Sequence, residues 1–315
     1  KSSNISKNIN DIRVNLLNKK EIENIILKTK PDYFFHLAAQ GLVRNSYNDP
    51  LETWQTNVLG TLNVLEVLRK LNNKCAAVMI TTDKCYDNKE WVWGYRETDS
   101  LGGPDPYSAS KAASELVIRS HIKSFFNSKN NNVRIASARA GNVIGGGDWA
   151  ADRIVPDCVR AWSNDEIVKL RNPNSTRPWQ HVLEPLSGYL VLAIALLSKP
   201  ELHGEPFNFG PIAQQNHSVL ELVENMSKYW KKVRWKTSKL SKEPYESDLL
   251  KLNCDKALHF LNWKAVMEFE ETVKMTSNWY KSFYKDENNI ENITNNQIKE
   301  YTKIAENLGL LWAKE

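Results

Sequence analysis

Cys75-Ala76-Ala77-Val78-Met79-Ile80-Thr81 is an unbroken run of small and apolar residues that stops at the polar cluster Thr82-Asp83-Lys84. Such a run, without polar alternation, predicts a strand buried on both faces, as in a parallel sheet covered by helices. Upstream, Asp49-Pro50 opens a long helix. Its apolar residues Leu51, Trp54, Val58, Leu62, Leu65 and Leu68 recur at steps of three and four, and Pro50 suits a first turn. Further back, Lys20 to Thr29 (KEIENIILKT) predicts a helix stopped by Pro31, and Tyr33 to Leu37 (YFFHL) a short buried strand. Downstream, Tyr107 to Phe125 has helix-forming composition and Val133 to Ala138 is strand-like. Helices alternating with buried strands specify an α/β fold with a parallel sheet.

Beyond Gly145-Gly146-Gly147 the pattern loosens into short elements separated by Asn172-Pro173, Arg177-Pro178 and Glu243-Pro244. Helices are expected at Leu183 to Leu197, Ser218 to Trp230 and Phe269 to Phe283, followed by an Asn-rich tail with an amphipathic stretch ending near Leu311. The expected division is a first domain over 1–160 and a smaller substrate-facing domain over 161–315, interleaved with it. At 315 residues, 41% hydrophobic and 25% charged, the chain has the make-up of a globular protein and excludes a fibrous or disordered one. A net charge of +5 is too small and dispersed to demand nucleic acid, yet suits an anionic substrate. The longest apolar stretch, Leu186 to Leu197, is too short to cross a bilayer, so no membrane partner is expected. Cys75, Cys85, Cys158 and Cys254 have neither Cys-x-x-Cys nor metal-ligand spacing. That points to a reducing compartment, the cytoplasm, and to no metal site.

The chemistry-bearing signal is Tyr107-Ser108-Ala109-Ser110-Lys111. Tyr and Lys at i and i+4 share one helix face, and an ammonium beside a phenol stabilises the phenolate. In an arbitrary chain such a pair is a half-buried aromatic and a solvated charge. Here Thr81-Thr82-Asp83-Lys84 follows a strand, and ligands of an open parallel sheet sit beyond strand carboxyl ends. The pair and the cluster therefore converge on one site.

These residues resemble the extended short-chain dehydrogenase/reductase enzymes and, within them, the CDP-glucose 4,6-dehydratases. The resemblance runs through His36-Leu37-Ala38-Ala39-Gln40, Asn57-Val58-Leu59-Gly60-Thr61, Thr82-Asp83-Lys84-Cys85-Tyr86, WVWGYRE at 91–97, Tyr107 to Lys111, RAGNVIGGGDW at 139–149 and Arg177-Pro178-Trp179-Gln180-His181-Val182. Tyr-x-x-x-Lys and HLAAQ are shared widely, whereas WVWGYRE, GNVIGGGDW and RPWQHV are specific to the subfamily. The resemblance implies a Rossmann-type doubly wound parallel sheet with a smaller C-terminal substrate-binding domain. It implies NAD held by Asp11, Ile12, Leu37, Ala38, Ala39, Gln40, Asn57, Thr81, Tyr107 and Lys111. CDP-glucose is expected on Asn142, Arg153, Arg177, Gln180 and Glu246, and a homodimer is expected from the same similarity. The first glycine is Gly41, so the Gly-rich phosphate turn of the family is not in this sequence. With Lys1 in place of Met, the expectation is a sequence lacking the first β-α-β unit.

The implied reaction makes CDP-4-dehydro-6-deoxyglucose and water. Tyr107, with Lys111 and Thr82, takes the proton of the sugar 4-hydroxyl, and the resulting ketone acidifies C5. Lys84 and Asp83 then serve as base and acid for loss of the 6-hydroxyl, in either assignment. Other nucleotide-sugar dehydratases or 4-epimerases of the same fold, and a non-catalytic nucleotide-binding protein, are the rival readings. Epimerases need no elimination pair, so Asp83-Lys84 weighs against them.

Overall fold

The computed structural model describes residues 5–127, 131–212, 214–237 and 249–314. Eleven α-helices are described: α1 Lys19–Thr29, α2 Val43–Asn48, α3 Pro50–Trp54, α4 Gly60–Leu68, α5 Pro106–His121, α6 Ile154–Ser163, α7 Leu183–Ser198, α8 Val219–Ser227, α9 Asp255–Leu261, α10 Phe269–Lys285 and α11 Ile290–Asn307. The first strands are β1 Tyr33–His36, β2 Cys75–Ile80, β3 Val133–Ala140, β4 Val143–Ile144 and β5 Val168–Leu170. They are followed by β6 Thr176–Arg177, β7 Gln180–His181 and β8 Pro206–Phe209.

The main sheet has the order β1-β2-β3-β8, parallel throughout. From Cys75 to Met79, β2 is fully buried, because apolar residues of α4 and α5 pack under one face and those of α7 under the other. The core beneath α4 and α5 gathers Leu65, Leu68, Met79, Ile118, Phe126 and Ile135. On the opposite face Leu192, Leu196, Phe207, Phe209 and Trp263 pack against Val78 and Ala138. The later half of the chain thus gives a strand and a helix to the sheet begun by the first half. A separate core around Trp162, Leu170, Leu222, Val273 and Tyr280 joins α6, β5, α8 and α10.

The helix expected to run from Pro50 is interrupted: a π-helical turn over Gln55–Leu59 separates α3 from α4. The inserted residue rotates the face that meets the sheet. Leu51 and Trp54, expected in the core stripe, are exposed at 66% and 39%, while Thr53 and Asn57 are buried. The apolar pattern recognised a helix but not which side of its first half faces inward. α5 likewise ends in a π-helical turn over Ile122–Phe126. α2, α6 and α9 were not expected; each is ten residues or shorter and flanked by loop-rich sequence.

Candidate active site

α5 starts where it does because Asp105 caps it: Oδ1 accepts from Ser108 N at 2.9 Å and Oδ2 from Ser108 Oγ at 2.5 Å. Pro106 occupies the first turn, and Tyr107 follows it. Across the sheet edge, β2 ends in a 3-10 turn over Asp83–Cys85, capped by Thr82 Oγ1, which accepts from Lys84 N at 3.3 Å. Both starts fall at the same end of the sheet and aim Tyr107, Thr81, Thr82, Asp83 and Lys84 into one cleft of about 430 Å³.

Asp83 is 2% exposed. Its Oδ1 accepts from Thr82 Oγ1 at 3.0 Å and its Oδ2 from Asn142 Nδ2 at 2.9 Å. Asn142 reaches it from a left-handed residue with φ of 54°. Burial pushes the Tyr107 phenol up to about 12; hydrogen bonding to Thr82 works against this, and Asp83 adds to it. Lys111, one turn on, is driven down to about 8 by burial, with Glu115 opposing. Its Nζ donates to Ile80 O at 3.4 Å, the single protein acceptor it has among the described residues.

Behind the pair lies a buried charge network. Glu115 receives Arg139 Nε at 3.0 Å and Nη2 at 2.8 Å, Thr81 Oγ1 at 2.5 Å and Ser137 Oγ at 2.9 Å. Burial works to raise the Glu115 carboxyl, but the Arg139 guanidinium and these donors hold it below the ordinary carboxylate value. Arg139 Nη1 continues to Tyr86 Oη at 2.8 Å, which donates to Asn208 Oδ1 at 2.7 Å.

The far wall of the cleft is rich in guanidinium. Asp152 Oδ1 bridges Arg171 at 2.9 Å and Arg44 at 3.5 Å, while Arg153 pairs with Asp148 at 3.0 Å. Arg177, 6% exposed, lines the same wall. Planar guanidiniums in this density fit an anion with several oxygens, such as a diphosphate.

Of the residues expected from sequence, Thr81, Thr82, Asp83, Lys84, Tyr107, Asn142, Arg153 and Arg177 line this one cleft, with Lys111 directly behind. Leu37, Ala38, Ala39 and Gln40 lie at the carboxyl end of β1, outside the cleft, with Leu37 54% exposed. Asn57 is buried and fully engaged: it accepts from Gln40 N at 2.8 Å and donates to Gln40 O at 3.0 Å and Ser110 Oγ at 2.9 Å. It staples the strand-end loop to α5. Gln180, expected on the substrate, instead sits beneath the cleft floor and donates to Gly141 O at 2.9 Å and Phe209 O at 3.0 Å. Asp11 and Ile12 are on an exposed stretch away from the cleft, Asp11 paired with Arg13 at 3.0 Å. Glu246 lies outside the described residues. His36, in the HLAAQ strand, is a core histidine whose Nε2 meets Thr61 Oγ1 at 3.1 Å. Sequence reasoning missed Arg44, Asp148, Asp152 and Arg171. Their signal was faint: Arg44 follows HLAAQ by four residues, and Arg171 precedes the RPWQHV segment in a loop without periodicity.

The GDP-mannose 4,6 dehydratase family model matches residues 1–276. A CDP-glucose 4,6-dehydratase of Salmonella typhimurium is 45% identical over 287 residues, covering 90% of this chain and 79% of that protein. Among solved structures, the UDP-glucuronic acid 4-epimerase from Bacillus cereus in complex with UDP-glucuronic acid and NAD superposes with a TM-score of 0.75 at 21% identity, covering 90% of this chain and 86% of that one. The dTDP-glucose 4,6-dehydratase from Bacillus anthracis in complex with NAD gives 0.69 at 19% identity, covering 87% and 80%.

Proposed function

The chain belongs to the GDP-mannose 4,6-dehydratase family, and on that premise we propose that it is an NAD-dependent CDP-glucose 4,6-dehydratase, releasing CDP-4-dehydro-6-deoxyglucose and water. The observation that carries this reading is the meeting of a phenol, a carboxyl and an amine, Tyr107, Asp83 and Lys84, in one cleft whose opposite wall is built of arginines. The 45% identity to the Salmonella enzyme supports the choice of CDP-glucose.

The residues present fit a ribose and a ring of the cofactor, while this sequence holds no Gly-rich turn for its phosphates. Lys111 is 7% exposed yet gives one long hydrogen bond to protein, so its remaining donors suit the hydroxyls of a ribose. Leu37, Ala38 and Ala39 leave the adjoining strand end open to a flat ring system. Tyr107, Lys111, Thr81 and the 37–40 segment would hold it. When bound, NAD would supply a hydride acceptor for C4 and, once reduced, a hydride donor for C6.

The chain's own part is to hold and move protons. Tyr107 Oη takes the proton of the sugar 4-hydroxyl; burial keeps this phenol protonated at neutral pH, so the Thr82 hydroxyl and the Lys111 ammonium have to stabilise its phenolate when substrate is bound. The ketone so formed at C4 makes the C5 proton acidic. Lys84 Nζ removes it while Asp83 delivers a proton to the departing 6-hydroxyl, which leaves as water. Lys84 afterwards returns its proton to C5, and the proton taken by Tyr107 passes through the Thr82 hydroxyl to Asp83, so that each group ends as it began. Asn142 and Thr82 grip the two Asp83 oxygens and fix the direction from which that proton is delivered.

The same family reading carries self-association. Leu51, Leu59 and Leu116, exposed at 66%, 47% and 46%, lie on the outer side of the α3–α5 layer and suit a second copy as a homodimer. Among the described residues no helix is long and apolar enough to cross a membrane. The three buried free thiols Cys75, Cys85 and Cys158 suit the cytoplasm.

The deciding experiment supplies CDP-, UDP-, dTDP- and GDP-linked hexoses to the protein with NAD and measures the 4-ketone formed. Ketone from CDP-glucose, at a rate at least tenfold above the others, is expected. Faster turnover of any other nucleotide sugar refutes the assignment.

A further inference from the structure

Tyr107, Lys111 and Glu115 stand at i, i+4 and i+8 on α5 and form one buried stripe, exposed at 8%, 7% and 4%. The first two carry the chemistry described above; the third does not line the cleft. A carboxylate buried that deeply costs several kcal/mol unless it is paired, and replacing Glu115 and Arg139 together by apolar residues would satisfy the fold about as well. What surrounds Lys111 supplies the reason.

Lys111 is faced by Glu115 on its own helix, by His36 from β1 and by Cys85 from the turn after β2. Tyr107 lies one turn before it, and Arg139 from β3 meets it only through Glu115. Burial drives His36 down to about 4, so it is neutral at working pH. Burial pushes the Cys85 thiol far up, so it is neutral as well. Among these neighbours the sole anion is therefore Glu115, and four donors from Arg139, Thr81 and Ser137 keep it ionised. An amine in an apolar setting loses its proton; a fixed carboxylate nearby restores it. Thr81 matters in the same way, since its hydroxyl ties the end of β2, just before Thr82 and Asp83, to the same carboxylate.

We propose that Glu115 is a positioning residue: its Arg139-compensated carboxylate holds Lys111 in the ammonium form beside Tyr107 and fixes the strand end from which Thr82 and Asp83 project. The ion pair is then more than a fastener between α5 and β3. The catalytic half of the inference rests on the dehydratase reading; the charge on Lys111 does not.

The test uses the full chain in four forms: wild type, Glu115→Gln, Glu115→Asp and the double variant Glu115→Gln/Arg139→Gln. Glu115→Gln keeps acceptors for Thr81 and Ser137 but removes the charge. The double variant relieves the unpaired Arg139, should the single one fold poorly, and still deprives Lys111 of its anion. With CDP-glucose, the basic limb of the kcat profile should move to lower pH by about one unit in both Gln variants. KM should stay within about twofold, and Glu115→Asp should keep the wild-type limb. A second readout needs no turnover. Below its folded-state value Lys111 is a buried charge, so Lys111→Met should melt higher than its parent, and the gap should close as pH rises and the amine becomes neutral. In the Glu115→Gln background that gap should be wider at low pH and should begin to close at a lower pH, while still vanishing near the unfolded-state lysine value of ~10.4. A lowered melting temperature with both the kcat limb and the pH at which the gap begins to close unmoved would make Glu115 a fastener and overturn the proposal. Wild type inactive on CDP-glucose but with the onset of closing displaced by Glu115→Gln would overturn the dehydratase reading and leave the charge assignment standing.

Discussion

Gly141 has no side chain because the Asp83 carboxyl occupies the space where one would be: a Cβ built on Gly141 falls 1.9 Å from both Asp83 Cγ and Oδ2. The close approach is what lets Asn142, the next residue, hold Asp83 Oδ2. The prediction concerns Gly141→Ala. The methyl must displace the carboxyl, so kcat should fall about 100-fold or more with far-UV circular dichroism unchanged. Near-wild-type kcat would show that Asp83 is not needed where the structure puts it.

Proton roles separate by stage. With substrate deuterated at C4, the wild-type product should carry the label at C6, read by mass spectrometry. Tyr107→Phe should remove the oxidation step, lowering kcat by about 1000-fold, with stability little changed. Lys84→Ala should still oxidise C4 but stall before water is lost, which trapping of the 4-keto sugar with its 6-hydroxyl retained would reveal. Full turnover by Lys84→Ala would assign the C5 proton to another base.

The arginine wall should act on binding. Arg171→Ala removes one of the two guanidiniums bridged by Asp152 Oδ1. KM for CDP-glucose should rise about tenfold or more while kcat changes little, since charged hydrogen bonds of this type contribute about 1.5–3 kcal/mol. An equal fall in kcat with KM unchanged would place Arg171 in the chemical step instead.

Stability carries its own pH signature at Glu184. This carboxyl is 1% exposed and accepts from Val266 N at 2.9 Å, Met267 N at 2.8 Å and Tyr301 Oη at 2.8 Å, with no cation in the set. Burial raises it to about 7 despite those donors. The folded chain therefore holds a proton that the unfolded chain has lost above ~4.3. Its contribution is fully present below that value and is lost as pH rises through about 7. Glu184→Gln should leave the melting temperature near wild type at pH ~5 and raise it at pH ~8, the gain in unfolding free energy there being on the order of 3 kcal/mol at most. A variant that tracks wild type at both pH values would contradict the shift.

How far the sequence could be read depended on whether a signal was local. β2 was legible because five consecutive side chains are buried on both faces and therefore uniformly small or apolar. Tyr107, Lys111 and the Thr82–Lys84 cluster were legible because each sits at an element boundary that the pattern marks. The inward side of α3 was not, because a π-helical turn shifts the face by one residue and nothing in the composition of Gln55–Leu59 announces it. Gln180 shows the converse: it belongs to a recognisable motif, yet the parallel pairing of β7 with β4 turns its amide into the backbone beneath the site. Arg44 and Arg171 meet at Asp152 only in three dimensions, which no spacing along the chain encodes.

Because β3 pairs on one side with β2 and on the other with β8, Ala138 lies opposite Phe207 although 69 positions separate them in the chain. During synthesis the outer edge of β3 must wait, unpaired, until Phe209 has cleared the ribosome, and α9 and Trp263 must emerge later still to cover Phe207 and Phe209. The nascent protein thus passes through a long interval with an open, apolar sheet margin, the species most prone to sticking to its neighbours. Its yield in the cell should depend on translation speed and chaperone supply more than the stability of the finished molecule would suggest.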